Sequence, residues 1–319
     1  MILSASRRTD IPACYSEWFF RRIKEGFLDV RNPMNPRQIS RIELSPRVVD
    51  CIVFWTKNPG PMLKRLEELK DYTYYFQFTL TGYGKEMEPN LPDKEKVMIP
   101  LFRELASRIG KERVIWRYDP ILFSPKYSVD FHLKTFERYS RLLAGCTEKC
   151  VISFLDLYAK NKRNMEAAGC GEISREELQL FAKQIARMSR ANRMAMASCS
   201  EKVDLEACGI VHNQCIDREL IERLTGYRIR AGKDKGQREA CGCIESVEIG
   251  TYDTCRNGCK YCYANLNEAA VQRNINLYDP CASLLCSEPA GPRDKVTRRK
   301  ISSLKGEALG GPQQMSLLL

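Results

Sequence analysis

Tyr74-Tyr75-Phe76-Gln77-Phe78-Thr79-Leu80, followed by Thr81-Gly82-Tyr83-Gly84, sets the pattern for the whole chain. The first seven residues are rich enough in aromatic side chains to be a buried strand, and the glycine-containing run after them ends it. A helical stretch follows over residues 94–109, and residues 114–116 begin another strand that runs into Arg117-Tyr118-Asp119-Pro120. Upstream, residues 48–55 are an apolar run too short for a helix, ending in Thr56-Lys57-Asn58-Pro59. A helix over 61–69 then carries Met62, Leu63, Leu66 and Leu69 on one side. Residues 1–5 form a short buried strand ending in Arg7-Arg8-Thr9-Asp10, ahead of a helix that begins at Ser16. Downstream come a helix over 128–143, a strand over 150–155 ending in Asp156-Leu157-Tyr158, and a helix over 174–189. That helix is capped by Ser174 with Glu177 three residues on. Residues 194–197 are a strand ending in Ser198-Cys199-Ser200-Glu201, residues 217–224 a short helix, and residues 246–251 a last strand.

Strand, polar loop and helix in alternation predict an α/β fold, a partial parallel (β/α) barrel of about six to seven strands. One domain is expected over residues 1–286, including a cysteine-rich metal-binding segment over 199–286, with a flexible basic tail over 287–319. In such folds the loops after the strands converge on one face, where ligands bind. Arg7, Arg8, Asp10, Lys57, Asn58, Thr81, Arg117, Asp119, Asp156, Tyr158, Cys199 and Glu201 therefore form a candidate set.

No apolar run approaches the twenty residues of a membrane span, so no membrane partner is expected. The first residues have neither the basic start nor the apolar core of a signal peptide, which predicts a cytoplasmic protein. In a reducing compartment the 15 cysteines argue for metal or redox chemistry over disulfides. Eleven of them lie between Cys170 and Cys286. Net charge is +11, a balance that favours a polyanion such as nucleic acid as partner.

Within the cysteine-rich segment, Cys255, Cys259 and Cys262 stand at C-x3-C-x2-C spacing in Cys255-Arg256-Asn257-Gly258-Cys259-Lys260-Tyr261-Cys262. Three thiolates on one short loop can hold three irons of a [4Fe-4S] cluster and leave the fourth iron open. A structural zinc site that takes a fourth thiolate from elsewhere is the competing reading. Cys199, Cys215, Cys241 and Cys243 could make a second, closed site for zinc or another iron–sulfur cluster.

The loop resembles the signature of radical S-adenosylmethionine enzymes. That resemblance implies reductive cleavage of S-adenosylmethionine to a carbon radical, an electron donor such as flavodoxin or ferredoxin, and Tyr261 at the aromatic position beside the adenine. Arg8 and Asn58 join Tyr261 as cofactor-binding candidates. Arg7, Arg8, Lys57 and Arg117 would hold anionic groups, Asp10, Asp119 and Asp156 ribose hydroxyls or amines, and Tyr158 or a remote cysteine would donate a hydrogen atom. A Gly-Gly-Glu motif of the kind that often binds the methionine amine is not apparent. The loop follows the last strand instead of the first, so residues 246–251 should pack beside residues 1–5 to bring it to the same mouth.

Ser4-Ala5-Ser6-Arg7-Arg8-Thr9-Asp10-Ile11-Pro12, Phe54-Trp55-Thr56-Lys57-Asn58-Pro59, Trp116-Arg117-Tyr118-Asp119-Pro120 and Cys241-Gly242-Cys243 also resemble a bacterial family of unknown function, number 1848, over about residues 1–286. By analogy with spore photoproduct lyase, nucleic acid is the expected substrate class, with damaged DNA as one form of it. The alternative is a zinc- or iron–sulfur-stabilised nucleic-acid-binding or redox-sensing module without catalysis. At the end of the tail, Gln314-Met315-Ser316-Leu317-Leu318 resembles the peptide that docks on the bacterial DNA sliding clamp.

Overall fold

The computed structural model describes residues 1–201 and 203–310. The central strands are β1 (Ile2–Ala5), β2 (Cys51–Thr56), β3 (Tyr74–Thr79), β4 (Val114–Ile121), β5 (Lys149–Phe154), β6 (Ala195–Ser198), β7 (Ile210–His212) and β8 (Val247–Glu248). They form one eight-stranded sheet in the order β8-β1-β2-β3-β4-β5-β6-β7. Every neighbouring pair is parallel. Parallel sheets are covered on both faces, which is why most of these strands read as continuous apolar runs.

The sheet is not closed: among the described residues no ladder joins β7 to β8. The expected barrel is thus an open sheet, and its eight strands exceed the expected six to seven. The additional strand, β7, is three residues long with two of them exposed, so it carries no apolar run to recognise.

Helices Ile99–Ile109, Val129–Leu142 and Arg175–Ala191 bring side chains to the large core on one face. Aromatic pairs tie that layer together, with Phe78 stacked on Phe102 and Trp116 on Phe136, both at 4.9 Å. The Ser174–Glu177 capping box forms as expected. On the other face, Ile2, Cys51, Val53, Tyr75, Ile115 and Val151 lie under Cys215, Ile216, Ile221, Cys241, Cys243 and Ile244. The chain between β7 and β8 therefore covers the inner face of the sheet, work that a closed barrel does with its own strands. Tyr75 Oη and Gln77 Nε2 both donate to the Cys215 carbonyl, at 2.6 and 2.9 Å, and hold that cover down.

Outside this sheet, Phe27–Arg31 and Gln38–Glu43 form an antiparallel pair. Lys295–Arg298 adds to it in parallel, and Lys305–Ala308 pairs with Tyr227–Ile229. These strands correct the expectation of a flexible tail from residue 287, as far as residue 308. Their pairing uses main-chain groups, and Asp50 accepts from Ser303 Oγ at 2.5 Å and Leu304 N–H at 2.6 Å, none of which composition reveals. The clamp-like peptide at 314–318 lies outside the described residues. Among the described residues, no helix is long and apolar enough to cross a membrane.

Candidate active site

The register Leu3↔Val247 and Ser4↔Glu248 sets β8 on the edge of the sheet beside β1. The two strands then leave the sheet together. Gly250 passes so close to Ser6 that a Cβ there would lie 2.6 Å from the Ser6 Cβ, a contact only glycine avoids. Residues 246–251 thus pack beside residues 1–5, as the topology required, and the cysteine loop opens at the C-terminal ends of the strands.

The loop is held from several sides. Asn257 Nδ2 donates to Asp10 at 2.9 Å, Tyr15 Oη to the Thr254 carbonyl at 2.5 Å, and Tyr263 Oη to the Arg7 carbonyl at 2.9 Å. Asn90, Asn161 and Asn164 donate side-chain N–H groups to the carbonyls of Arg256, Tyr261 and Lys260 at 2.8, 2.9 and 3.0 Å. Gly258 takes the left-handed conformation at φ 70°, where a Cβ would also press on Asn90 at 3.0 Å. These contacts satisfy loop carbonyls that no sheet partner reaches.

A cavity of about 290 Å³ lies at this end of the sheet. Arg7, Arg8, Asp10, Lys57, Arg117, Asp119, Asp156, Tyr158 and Tyr261 all line it, with Cys255, Cys259 and Cys262 and with Cys199, Cys215, Cys241 and Cys243. Asn58 is not among them: its side-chain oxygen accepts from Gly60 N–H at 3.0 Å and serves the turn after β2.

The charged groups are mostly committed to one another. Asp10 is buried and accepts from Thr56 Oγ1, Lys57 N–H, Ala13 N–H and Asn257 Nδ2 at 2.7 to 3.0 Å. Burial still raises its pKa against those four donors. Arg7 lies between Glu248 and Asp234, at 3.5 and 3.3 Å. Arg117 pairs with Asp119 and stacks on Trp55 at 5.2 Å. Burial opposes the Arg117 charge most strongly, but Asp119 together with Cys215 and Cys199 outweighs it and raises the pKa. Asp156 and Tyr158 sit half-exposed at the rim, where Arg238 pairs with Asp156. Arg8 differs: among the described residues it has no carboxylate within ion-pair distance, and it lies 5.1 Å from the Tyr252 ring.

Glu88 is the residue that sequence reasoning missed most plainly. It is fully buried and bonds Lys57 Nζ at 2.8 Å, Thr81 Oγ1 at 3.1 Å, Lys94 and the Tyr261 hydroxyl. Burial alone would raise this carboxyl, but the two ammonium groups overcome it and hold it at about 2. Tyr261, fixed by Glu88 and by Tyr83 at 5.7 Å, presents a rigid ring to the cavity.

Burial pushes the Cys259 and Cys262 thiols up, Cys262 to about 11. Cys255 is raised first by a bond with the Cys14 thiol and then by burial. In the second group the Cys199 and Cys215 sulfurs are 3.3 Å apart, and Cys241 and Cys243 line the same cavity. Among the described residues, no group of three or more His, Cys, Asp or Glu side chains stands ready-made around one metal position.

The sequence model of the family described as Domain of unknown function (DUF1848) matches residues 2–264, from the first strand through the cysteine loop. The chain belongs to that family. A search of curated proteins finds no match to it.

Proposed function

We propose that this member of the family is an iron–sulfur enzyme of the radical S-adenosylmethionine type, with Cys255, Cys259 and Cys262 as the cluster ligands. One observation carries the reading: the three loop thiols line the same cavity as the strand-end residues Arg8, Lys57, Arg117 and Tyr261. The donor set fits, because soft thiolates suit an iron–sulfur cluster and three of them leave one iron for a ligand. Such a cluster, when bound, supplies the electron that cleaves S-adenosylmethionine.

The chain's own residues bind and orient. Arg8, a guanidinium with no carboxylate partner among the described residues, suits the carboxylate of an amino-acid moiety by charge-assisted bonds. Tyr261 supplies a flat wall that Glu88 holds in place. Asp156 and Tyr158, exposed at the rim, can meet a substrate that enters from outside. On the other side of the loop, Lys160, Arg163, Arg256 and Lys260 line an open groove of about 990 Å³. Its charge suits the acidic surface of a flavodoxin or ferredoxin. Nucleic acid, damaged DNA in particular, is the substrate class favoured by the net charge of +11. Recruitment through the sliding clamp by residues 314–318 belongs to the same reading, and a clamp pull-down with and without the last six residues tests it.

The deciding experiment is anaerobic purification with iron and sulfide counts, then dithionite reduction with S-adenosylmethionine and chromatography of the products. About four irons per chain and cleavage to 5′-deoxyadenosine and methionine are expected, both lost when the three loop cysteines are changed to alanine. Iron-free protein that cleaves nothing after reconstitution refutes the proposal.

A second reading has an observation of its own. Cys14 lies against Cys255 and could be the fourth thiolate of a closed zinc site. Zinc that is lost in Cys14→Ala, without cofactor cleavage in the parent, would select it.

A further inference from the structure

Cys199, Cys215, Cys241 and Cys243 come from three separate places around the seam of the open sheet. Cys199 follows β6, Cys215 follows β7, and Cys241 and Cys243 precede β8. No ladder joins β7 to β8 among the described residues, so these thiols stand where hydrogen bonding leaves the sheet unclosed. We propose that the four cysteines are a second metal site, a mononuclear tetrathiolate zinc centre that fastens the β7 end of the sheet to the β8 end.

Three observations carry it. The backbones already meet: a Cβ on Gly242 would lie 3.0 Å from the Asn213 carbonyl oxygen, so Cys241 and Cys243 are held against the turn that bears Cys215. Two of the sulfurs are met by N–H donors. Arg117 Nη1 and Asn213 Nδ2 point at the Cys215 sulfur from 2.8 and 3.0 Å, and Ile216 N–H points at the Cys243 sulfur from 3.3 Å. Three N–H groups aimed at sulfur suit thiolates that carry charge, and such bonds orient and tune metal-bound thiolates. Asn213 is 4 % exposed, and its side-chain oxygen has no partner among the described residues while its nitrogen faces the thiol.

Spacing selects the kind of centre. With Zn–S bonds of about 2.3 Å, the edge of a tetrahedral ZnS4 site is about 3.8 Å. Cysteine sulfurs on different irons of a cubane are roughly 6 Å apart. The Cys199–Cys215 distance is 3.3 Å, and Cys241 and Cys243 line the same cavity beside them. The Cys199–Cys215 separation is close to the zinc edge and well short of the cubane spacing. Arg117, in contact with Cys215, offsets part of the net negative charge of a zinc tetrathiolate.

The test uses the full chain, expressed with zinc in the medium, and the probe is zinc itself. About one zinc per chain is expected, retained when Cys255, Cys259 and Cys262 are all alanine, and reduced at least tenfold in Cys215→Ser/Cys243→Ser. A readout without variants guards against misfolding: in the parent, zinc should shield these four thiols from alkylation, and a chelator should expose them together. Cobalt in place of zinc should give the intense thiolate charge-transfer absorption of a tetrahedral site. The proposal is overturned by zinc-free parent protein, by zinc that leaves with the loop cysteines, by iron and sulfide bound at these four residues, or by a Cys199–Cys215 disulfide in their place. Iron at the loop is counted separately, so failure here and failure of the radical-enzyme reading are distinct results.

Discussion

Replacing Asp10 with alanine should loosen the cysteine loop without touching a cysteine. The Asp10 carboxylate joins three segments: the helix that begins at Ile11, the end of β2 through Thr56 and Lys57, and the loop through Asn257. Alanine leaves four donors without their acceptor. Thr56 Oγ1 and Asn257 Nδ2 can turn elsewhere, but the N–H groups of Ala13 and Lys57 are fixed by the backbone. At about 1–3 kcal/mol for each stranded buried donor, the loss is about 2–6 kcal/mol. Part is returned, because burial already disfavours the Asp10 charge and raises its pKa. A net loss of about 2–4 kcal/mol remains, or about 4–8 °C in Tm at roughly 2 °C per kcal/mol for a chain of this size. Urea unfolding of Asp10→Ala, Asn257→Ala and the double variant measures it. The 2.9 Å bond between the two should appear as a coupling energy of about 1–3 kcal/mol. A single-variant loss below about 0.5 kcal/mol, or strict additivity, would refute the claim that Asp10 fastens the loop.

Gly250→Ala should destabilise by about 2 kcal/mol or more, because its Cβ meets the Ser6 Cβ at 2.6 Å; equal urea midpoints would contradict that packing. Glu88→Ala should cost about 3–5 kcal/mol, since Lys57 and Lys94 would be left facing each other in a buried site. The Glu88 carboxyl, held at about 2 against an ordinary 4.5, contributes stability above pH 4.5 that is lost as pH falls toward 2. In Glu88→Gln that acid limb of an unfolding pH profile should flatten. Glu201 has the opposite sign: burial pushes it up to about 7 from 4.5, so the folded state holds the extra proton between those values. Its contribution is complete below pH 4.5 and lost as pH rises through 7. Glu201→Gln should therefore match the parent near pH 4 and exceed it by up to about 3 kcal/mol at pH 8; a constant difference across that range would show that Glu201 is not the titrating group.

How much of this was legible in the sequence depended on where each element finds its partners. β2 and β3 were readable because Phe54 and Phe76 must be buried, and they stack at 4.8 Å. The helix at Arg175 was readable because Ser174 and Glu177 satisfy its first turn locally. The convergence of strand-end residues followed from parallel strands alone, and with it the meeting of Arg7, Lys57 and Arg117 with the three loop cysteines. Glu88 was hidden in Glu86-Met87-Glu88, which reads as a solvated acidic stretch; its ammonium partners Lys57 and Lys94 come from separate segments. Asn90, Asn161 and Asn164 fasten the loop by donating to backbone carbonyls, an interaction with no spacing rule. The tail strands were lost for the same reason, since main-chain pairing leaves little mark on a run such as Lys295–Arg298.

The position of the cysteine loop at the end of the chain is less anomalous than its order suggests. A site of this kind needs the loop next to the strand that supplies Arg7, Arg8 and Asp10, and β8 meets that need by pairing with β1. A two-residue edge strand makes a weak ladder, so other groups must hold the register. Glu248 accepts from Ser4 Oγ at 2.9 Å, Arg7 N–H at 3.1 Å and Gly250 N–H at 3.1 Å, locking strand to strand through one carboxylate. That carboxylate is also the partner that keeps the Arg7 guanidinium at the cavity wall. Arg7 is therefore first a fastening for the loop, whereas Arg8, next to it, has no carboxylate within ion-pair distance among the described residues.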